Sequence, residues 1–208
     1  GTAPYAYLWS NGATTQDINS LTAGYYSVLV TDANGCFDTA SVNITQPSTL
    51  NATINTTALS CNGSCNGIMD AGGTMGGTVP YSYVWYDAAN QNTAQITGLC
   101  ASTRNVEVTD ANGCIDSAVA SVSEPTVLVV TMIDSNQATC VGNCDGDATA
   151  SAAGGTSPYS YNWYNAGNQN TALAANLCFG INEVEVSDSN GCKDTVKVSI
   201  TAPLVVVA

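Results

Sequence analysis

Cysteine is the residue with most chemistry to offer in this chain. Nine cysteines stand beside no histidine at all, and Arg104, Lys193 and Lys197 are the only cations. They fall into two sets of four, Cys61, Cys65, Cys100, Cys114 and Cys140, Cys144, Cys178, Cys192, with Cys36 by itself. Thiols in this number either oxidise to disulfides or hold zinc. With no histidine in the chain every mixed Cys/His zinc site is excluded, and an oxidising compartment, which so many cysteines beside so little Lys suggest, disfavours an all-cysteine one, so disulfides are favoured. The same absence removes the usual general base, and isolated Lys and Arg residues supply neither an activated nucleophile nor a phosphate clamp. The chain is expected to be no enzyme and to hold no catalytic or cofactor-binding residue.

Carboxylates are the second candidate chemistry. Asp110-Ala111-Asn112-Gly113 is similar to the start of a calcium loop, and Asp145-Gly146-Asp147 adds two further acids. The bidentate glutamate that completes an EF-hand loop is missing, and the second set carries Asn66-Gly67-Ile68 where the third carries Asp145-Gly146-Asp147. Asp145 and Asp147 are the calcium candidates, and no other cofactor is expected. Asn112-Gly113 also reads as a hairpin turn, since Asn and Gly accept positive φ.

Sixteen acidic residues give a net charge of −13 and a pI of about 4.1, which excludes nucleic acid and anionic membrane as natural partners. Only 9% of residues are charged and 45% are hydrophobic, so the chain carries enough apolar side chains for a core. Oxidised cysteines with a Ser/Thr/Asn/Gly surface indicate an extracellular protein. No apolar run is long enough to span a membrane.

Positioning these residues falls to a repeat. Thr45-Gln46-Pro47, Ser123-Glu124-Pro125 and Thr201-Ala202-Pro203 recur every 78 residues (125 − 47 and 203 − 125). The Asn-Gly-Cys turns at Cys36, Cys114 and Cys192 keep the same spacing, and the strings beginning Gly1-Thr2, Gly77-Thr78 and Gly155-Thr156 and the Pro-Tyr-x-Tyr-x-Trp segments ending at Trp9, Trp85 and Trp163 recur with them, 76 residues apart in the first interval and 78 in the second. The period divides the chain into 1–47, the C-terminal part of a truncated repeat; 48–125 and 126–203, complete repeats; and 204–208, the first strand of a following one.

Each unit reads as short strands between turn signals. In the second they are Leu50–Thr56, Gly67–Gly72, Tyr81–Tyr86, Ala94–Leu99, Asn105–Asp110 and Asp116–Val122, which predicts an all-β fold of tandem immunoglobulin-like β-sandwiches, stacked as an elongated rod. Alternation puts Tyr83 on the same strand face as Trp85, as Tyr7 with Trp9 and Tyr161 with Trp163, and these aromatics are the predicted core. A row of this kind can also stack on sugar rings.

Four cysteines allow three pairings. Cys100 with Cys114 fails, because an extended strand between them would hold their ends about 40 Å apart. The first unit has Thr22-Ala23-Gly24 where the others carry Cys100 and Cys178, so Cys36 needs a partner independent of that position. The expected bridges are Cys61–Cys114 with Cys65–Cys100, and Cys140–Cys192 with Cys144–Cys178.

The strings at Gly1–Trp9, Thr31–Cys36 and Thr45–Pro47 resemble the SprB repeat, and the resemblance covers essentially the whole chain. That family is named for a very large cell-surface adhesin of gliding Bacteroidota, and such repeats fill long surface proteins exported by type IX secretion. The resemblance implies roles in adhesion, gliding motility or filament-like attachment structures. It also marks Thr39, Ser117 and Thr195, each after an aspartate, as candidate O-glycosylation acceptors of that bacterial group.

A structural or adhesive segment of a long surface protein is therefore expected, acting as a disulfide-stapled, semi-rigid stalk for cell attachment. Its partners would be neighbouring repeats, identical chains in a bundled filament, and glycans or another cell. The alternative is a ligand-binding adhesin module whose repeats contact the target through Tyr86, Tyr164 or the polar segments Asn90-Gln91-Asn92 and Asn168-Gln169-Asn170.

Overall fold

The structure is a computed structural model and describes residues 1–86, 91–164 and 167–203. The expected strand at 204–208 and the start of the Asn90-Gln91-Asn92 segment lie outside those residues. No helix occurs among the described residues, and none is long and apolar enough to cross a membrane.

Short strands rich in Val, Thr and Tyr form between Asn-Gly, Gly-Gly and Pro punctuation, as β propensity and turn chemistry require. The first group is β1 (Ala6–Trp9), β2 (Gly24–Thr31) and β3 (Phe37–Ile44), one antiparallel sheet in that order. The second group is β4 (Asn55–Thr57), β5 (Gly67–Asp70), β6 (Ser82–Trp85), β7 (Gln95–Leu99), β8 (Ser102–Thr109) and β9 (Ile115–Val122). These make two sheets, β4-β5-β7 and β6-β8-β9, whose facing side chains share one core. The third group repeats the plan with β10 (Val129–Asn136), β11 (Gly146–Ala153), β12 (Ser160–Trp163), β13 (Leu173–Leu177), β14 (Gly180–Ser187) and β15 (Lys193–Ile200), in sheets β10-β11-β13 and β12-β14-β15.

Alternation along β8 buries Val106 and Val108 against Trp85, Met69, Ile96 and Val122; along β14 it buries Val184 and Val186 against Trp163, Leu177 and Ile200. Trp85 and Trp163 are fully buried, and their indole N–H groups donate to the carbonyls of Thr93 and Thr171 at 2.9 and 3.0 Å. Tyr83 and Tyr161 are half-buried and pack against the two cores. Trp9 and Tyr7 are also half-buried: Trp9 keeps its bond to the Thr15 carbonyl at 2.9 Å, but the first group has a single sheet among the described residues.

Where β5 starts, the two sheets approach so closely that a Cβ on Gly67 would stand 2.6 Å from the Val122 side chain, and one on Gly146 2.8 Å from Ile200. Only glycine fits at either place.

Candidate functional site at the junction between units

Two sequence signatures meet at one end of each unit. Asp110 accepts amide N–H bonds from Thr78, Asn112 and Cys114 at 2.8, 2.9 and 2.8 Å, and is 6% exposed. Asn112 Nδ2 reaches back to Thr78 Oγ1 at 2.9 Å. Gly77 has φ +59° and lies so close that a Cβ there would sit 2.7 Å from the Asp110 carboxylate. The Gly-Thr string and the Asp-x-Asn-Gly-Cys hairpin are thus two halves of one amide clamp. Asp188 repeats it with Thr156, Asn190 and Cys192, and Asp32 with Thr2, Asn34 and Cys36. The loop that resembled a calcium site spends its carboxylate on backbone amides.

Burial works to raise the Asp110 and Asp188 carboxyls, but the three amide donors around each outweigh it and hold both below the usual carboxylate range. The Thr2 amide leads the same effect on Asp32, and the Ala52 amide on Asp116. These folded-state values lie below the unfolded ones, so the stabilisation is present above the ordinary carboxylate pKa and is lost as pH falls through the depressed values. The urea midpoint is expected to stay level from neutral pH to about pH 5 and to fall below about pH 4. Asp110→Asn should make that acid limb shallower for the second group; an unchanged limb would show that the clamp does not set it.

Of the calcium candidates, Asp145 is engaged by Thr139, accepting from its amide at 2.9 Å and from its hydroxyl, which lowers its pKa, the hydroxyl contact leading. Asp147 lies on β11 opposite Asn136 and Ala175. Among the described residues no three Cys, Asp or Glu side chains are grouped to hold a metal ion. Thr39, Ser117 and Thr195 are exposed on β3, β9 and β15. The aspartates before the last two brace the preceding segment, Asp116 accepting from the Ala52 amide and Asp194 from the Val130 amide, both at 2.8 Å. Tyr86 and Tyr164 are half-exposed, and Tyr86 donates to Glu107 at 3.0 Å.

The cysteines correct the expectation most. Cys65 bonds Cys100 and Cys144 bonds Cys178, each tying the turn before β5 or β11 to the turn after β7 or β13, where the chain crosses to the other sheet. The third disulfide is Cys61–Cys192, with Cα atoms 5.6 Å apart and a separation of 131 positions in sequence. The expected pairs Cys61–Cys114 and Cys140–Cys192 do not form, and Cys36, Cys114 and Cys140 are free and exposed. The reason is strand length. Cys61, Cys65 and Cys100 sit at one end of β8 and Cys114 follows its other end, so eight residues of strand separate them by about 26 Å. A bridge of 4.4–6.8 Å between Cα atoms, the usual range, cannot span that.

The end of the second group that carries Cys61 meets the end of the third that carries Cys192. Around the bridge, Asn190 Nδ2 donates to the Ser60 carbonyl at 3.0 Å, Asn62 Nδ2 to the Pro125 carbonyl at 3.0 Å, and the Gly63 amide to Glu124 at 2.8 Å. The closing Glu-Pro string is therefore held by the Cys61 turn. Strand order alone carried the signal: the turn after β4 and the turn after β8 fall at opposite ends of a unit, so each faces a neighbour.

A family model described as the SprB repeat matches residues 133–168, and the resemblance drawn from the sequence is shown over that span. No curated protein matches the chain significantly. Among solved structures, the three N-terminal domains of the bacteriophage RB49 Highly Immunogenic Outer Capsid protein are 14% identical, with a TM-score of 0.49 and coverage of 97% of this chain and 89% of that one. The C-terminal 282-residue fragment of intimin, solved with the intimin-binding domain of its translocated receptor, is 12% identical at a TM-score of 0.35, covering 85% and 57%. The N-terminal eight Ig domains of the Down Syndrome Cell Adhesion Molecule are 10% identical at 0.31, covering 95% and 32%.

Proposed function

We propose that the chain is a length-giving segment of an extracellular surface protein, a stalk for cell attachment whose units are coupled by disulfides. The observation that carries this reading is the Cys61–Cys192 bridge, which joins one unit to the next and serves neither core. Disulfides of this kind persist in oxidising surroundings, which supports a location outside the cell. Units linked through a single proline-terminated string move relative to one another unless something fixes them, and here a covalent bond and side-chain bonds do so. The SprB-repeat match supports a setting on a large surface adhesin, with type IX export and a part in gliding or attachment. The chain has no histidine and only three cations, so the commonest general base and any clustered phosphate clamp are missing from its composition, which supports a structural role over a catalytic one.

A stalk transmits force, and a binding module holds a target. Cys61→Ser in the surface-displayed protein is expected to lower attachment under flow while leaving static attachment within about twofold, because the junction and not the contact is weakened. Tyr86→Ala with Tyr164→Ala should change neither. A tenfold loss of static attachment in the tyrosine variant would contradict the stalk reading and favour repeats that bind the target themselves.

A further inference from the structure

In each complete unit the first segment and the last strand run side by side in the same direction. In the third, the Val130 amide donates to Asp194 at 2.8 Å near the start of both strands, and the Ala138 amide donates to the Thr201 carbonyl at 3.0 Å just past their ends. In the second, the Ala52 amide donates to Asp116 at 2.8 Å and the Leu59 amide to the Ser123 carbonyl at 2.9 Å. Drawing a unit out by its ends loads such a pair in shear, because the first strand is pulled toward its beginning and the last toward its end. The bonds between them must then fail together, whereas a ladder pulled from one end opens bond by bond. Forced unfolding follows the unfolding rate, so bonds that must break before either strand slides set the force.

The two clamps are unequal. Gln137, directly after β10, turns its side-chain carbonyl onto Thr201, accepting from the Thr201 amide and from the Thr201 hydroxyl, the latter at 2.7 Å. Aligning Cys61 with Cys140 puts Ala58 at the same place in the second unit, where a methyl side chain offers Ser123 no acceptor. The first strands differ too, β10 being eight residues long and β4 three. While Cys61–Cys192 is closed, neither clamp is sheared. Force leaves the second unit at Cys61 and re-enters the chain at Cys192, bypassing both β9 and β10.

We infer that the terminal-strand clamps are a second, graded line of mechanical resistance that takes the load when the bridge opens, and that the second unit yields before the third because Gln137 staples the third unit's first strand to its last. The inference rests on the stalk reading and adds to it an order of release. A segment that lengthens in steps absorbs work while its stronger unit stays folded.

The test is single-molecule pulling on the full chain carrying Cys61→Ser, which opens the bridge and leaves Cys65–Cys100 and Cys144–Cys178 in place. The second and third units are expected to release nearly equal lengths at clearly different forces, since those disulfides withhold spans of 35 and 34 positions. Adding Gln137→Ala should bring the stronger release down to the force of the weaker and leave the weaker where it was. Gln137→Glu keeps the acceptor and should hold most of the difference. Urea midpoints should move little in either variant, because Gln137 is exposed and lies outside the core. Equal forces in the starting chain, a stronger release that Gln137→Ala leaves unmoved, a Gln137→Glu variant as weak as Gln137→Ala, or a fall in urea midpoint that accounts for the whole loss of force would each overturn it. Failure of the stalk reading looks different, since the oxidised, unsubstituted chain would then release the segment between Cys61 and Cys192 without any substitution.

Discussion

Trp85→Ala is expected to lower the unfolding free energy of the second sandwich by about 3–5 kcal/mol. The indole is fully buried between the sheets, touching the strand pair that carries Val106 and Val108. Truncation leaves a cavity that the close approach at Gly67 limits the sheets from collapsing into. It also removes the donor to the Thr93 carbonyl, 2.9 Å away, which then depends on water. Domain stabilities run to about 5–15 kcal/mol, so this one change consumes much of the margin. Trp9→Ala should cost much less, because Trp9 is half-buried on a single sheet. Urea unfolding of each variant, followed by far-UV circular dichroism, checks both. Equal losses at the two sites would show that burial between two sheets is not what the tryptophan contributes.

The contrast between the tryptophans bears on how much the sequence could say. Alternation of Tyr83 and Trp85 predicted one buried face, and the structure buries Trp85 with Tyr83 at its margin, because a period of two is a local property of a strand. The six strands expected in the second unit correspond to β4 through β9, with ends shifted by a few residues. The largest shift is at β4, which begins at Asn55 instead of Leu50; before it Asn51 forms an isolated bridge to Met75, and the Ala52 amide is taken by Asp116 from another strand. Such a partner is set by tertiary contact and leaves no periodic trace.

The amide clamp was half legible. Gly77-Thr78 and Asp110-Ala111-Asn112-Gly113-Cys114 stood out as recurring strings, but they are 32 residues apart, and nothing local says that the aspartate reaches the threonine amide. A carboxylate flanked by Asn and Gly is similar to a cation loop until its acceptors are accounted for.

The bridge between units was hidden by the repeat itself. In an array of period 78, pairing Cys61 with Cys114 or with Cys192 one unit on involves equivalent residues, so counting cysteines within a unit cannot separate them. What separates them is the end of the sandwich on which each turn lies, a consequence of strand order. The same strand order leaves Cys65 beside Cys100, because Gly67 and Leu99 are partners in the β5–β7 ladder.

Extension under force tests the coupling between units most directly. The chain held at its two ends should not release the segment between Cys61 and Cys192 while their bond is intact, because load passes through the sulfurs and bypasses the 131-residue loop. Full reduction should add roughly 450 Å of contour length minus the folded span, and Cys61→Ser roughly 210 Å, given about 3.3–3.6 Å per extended residue. The loops held by Cys65–Cys100 and Cys144–Cys178 stay closed in the serine variant and subtract their 35 and 34 residues, whereas full reduction frees them too. Single-molecule pulling that shows the long release only after reduction or in Cys61→Ser is the result the coupled stalk predicts. Release of the whole segment from the oxidised, unsubstituted chain would contradict it.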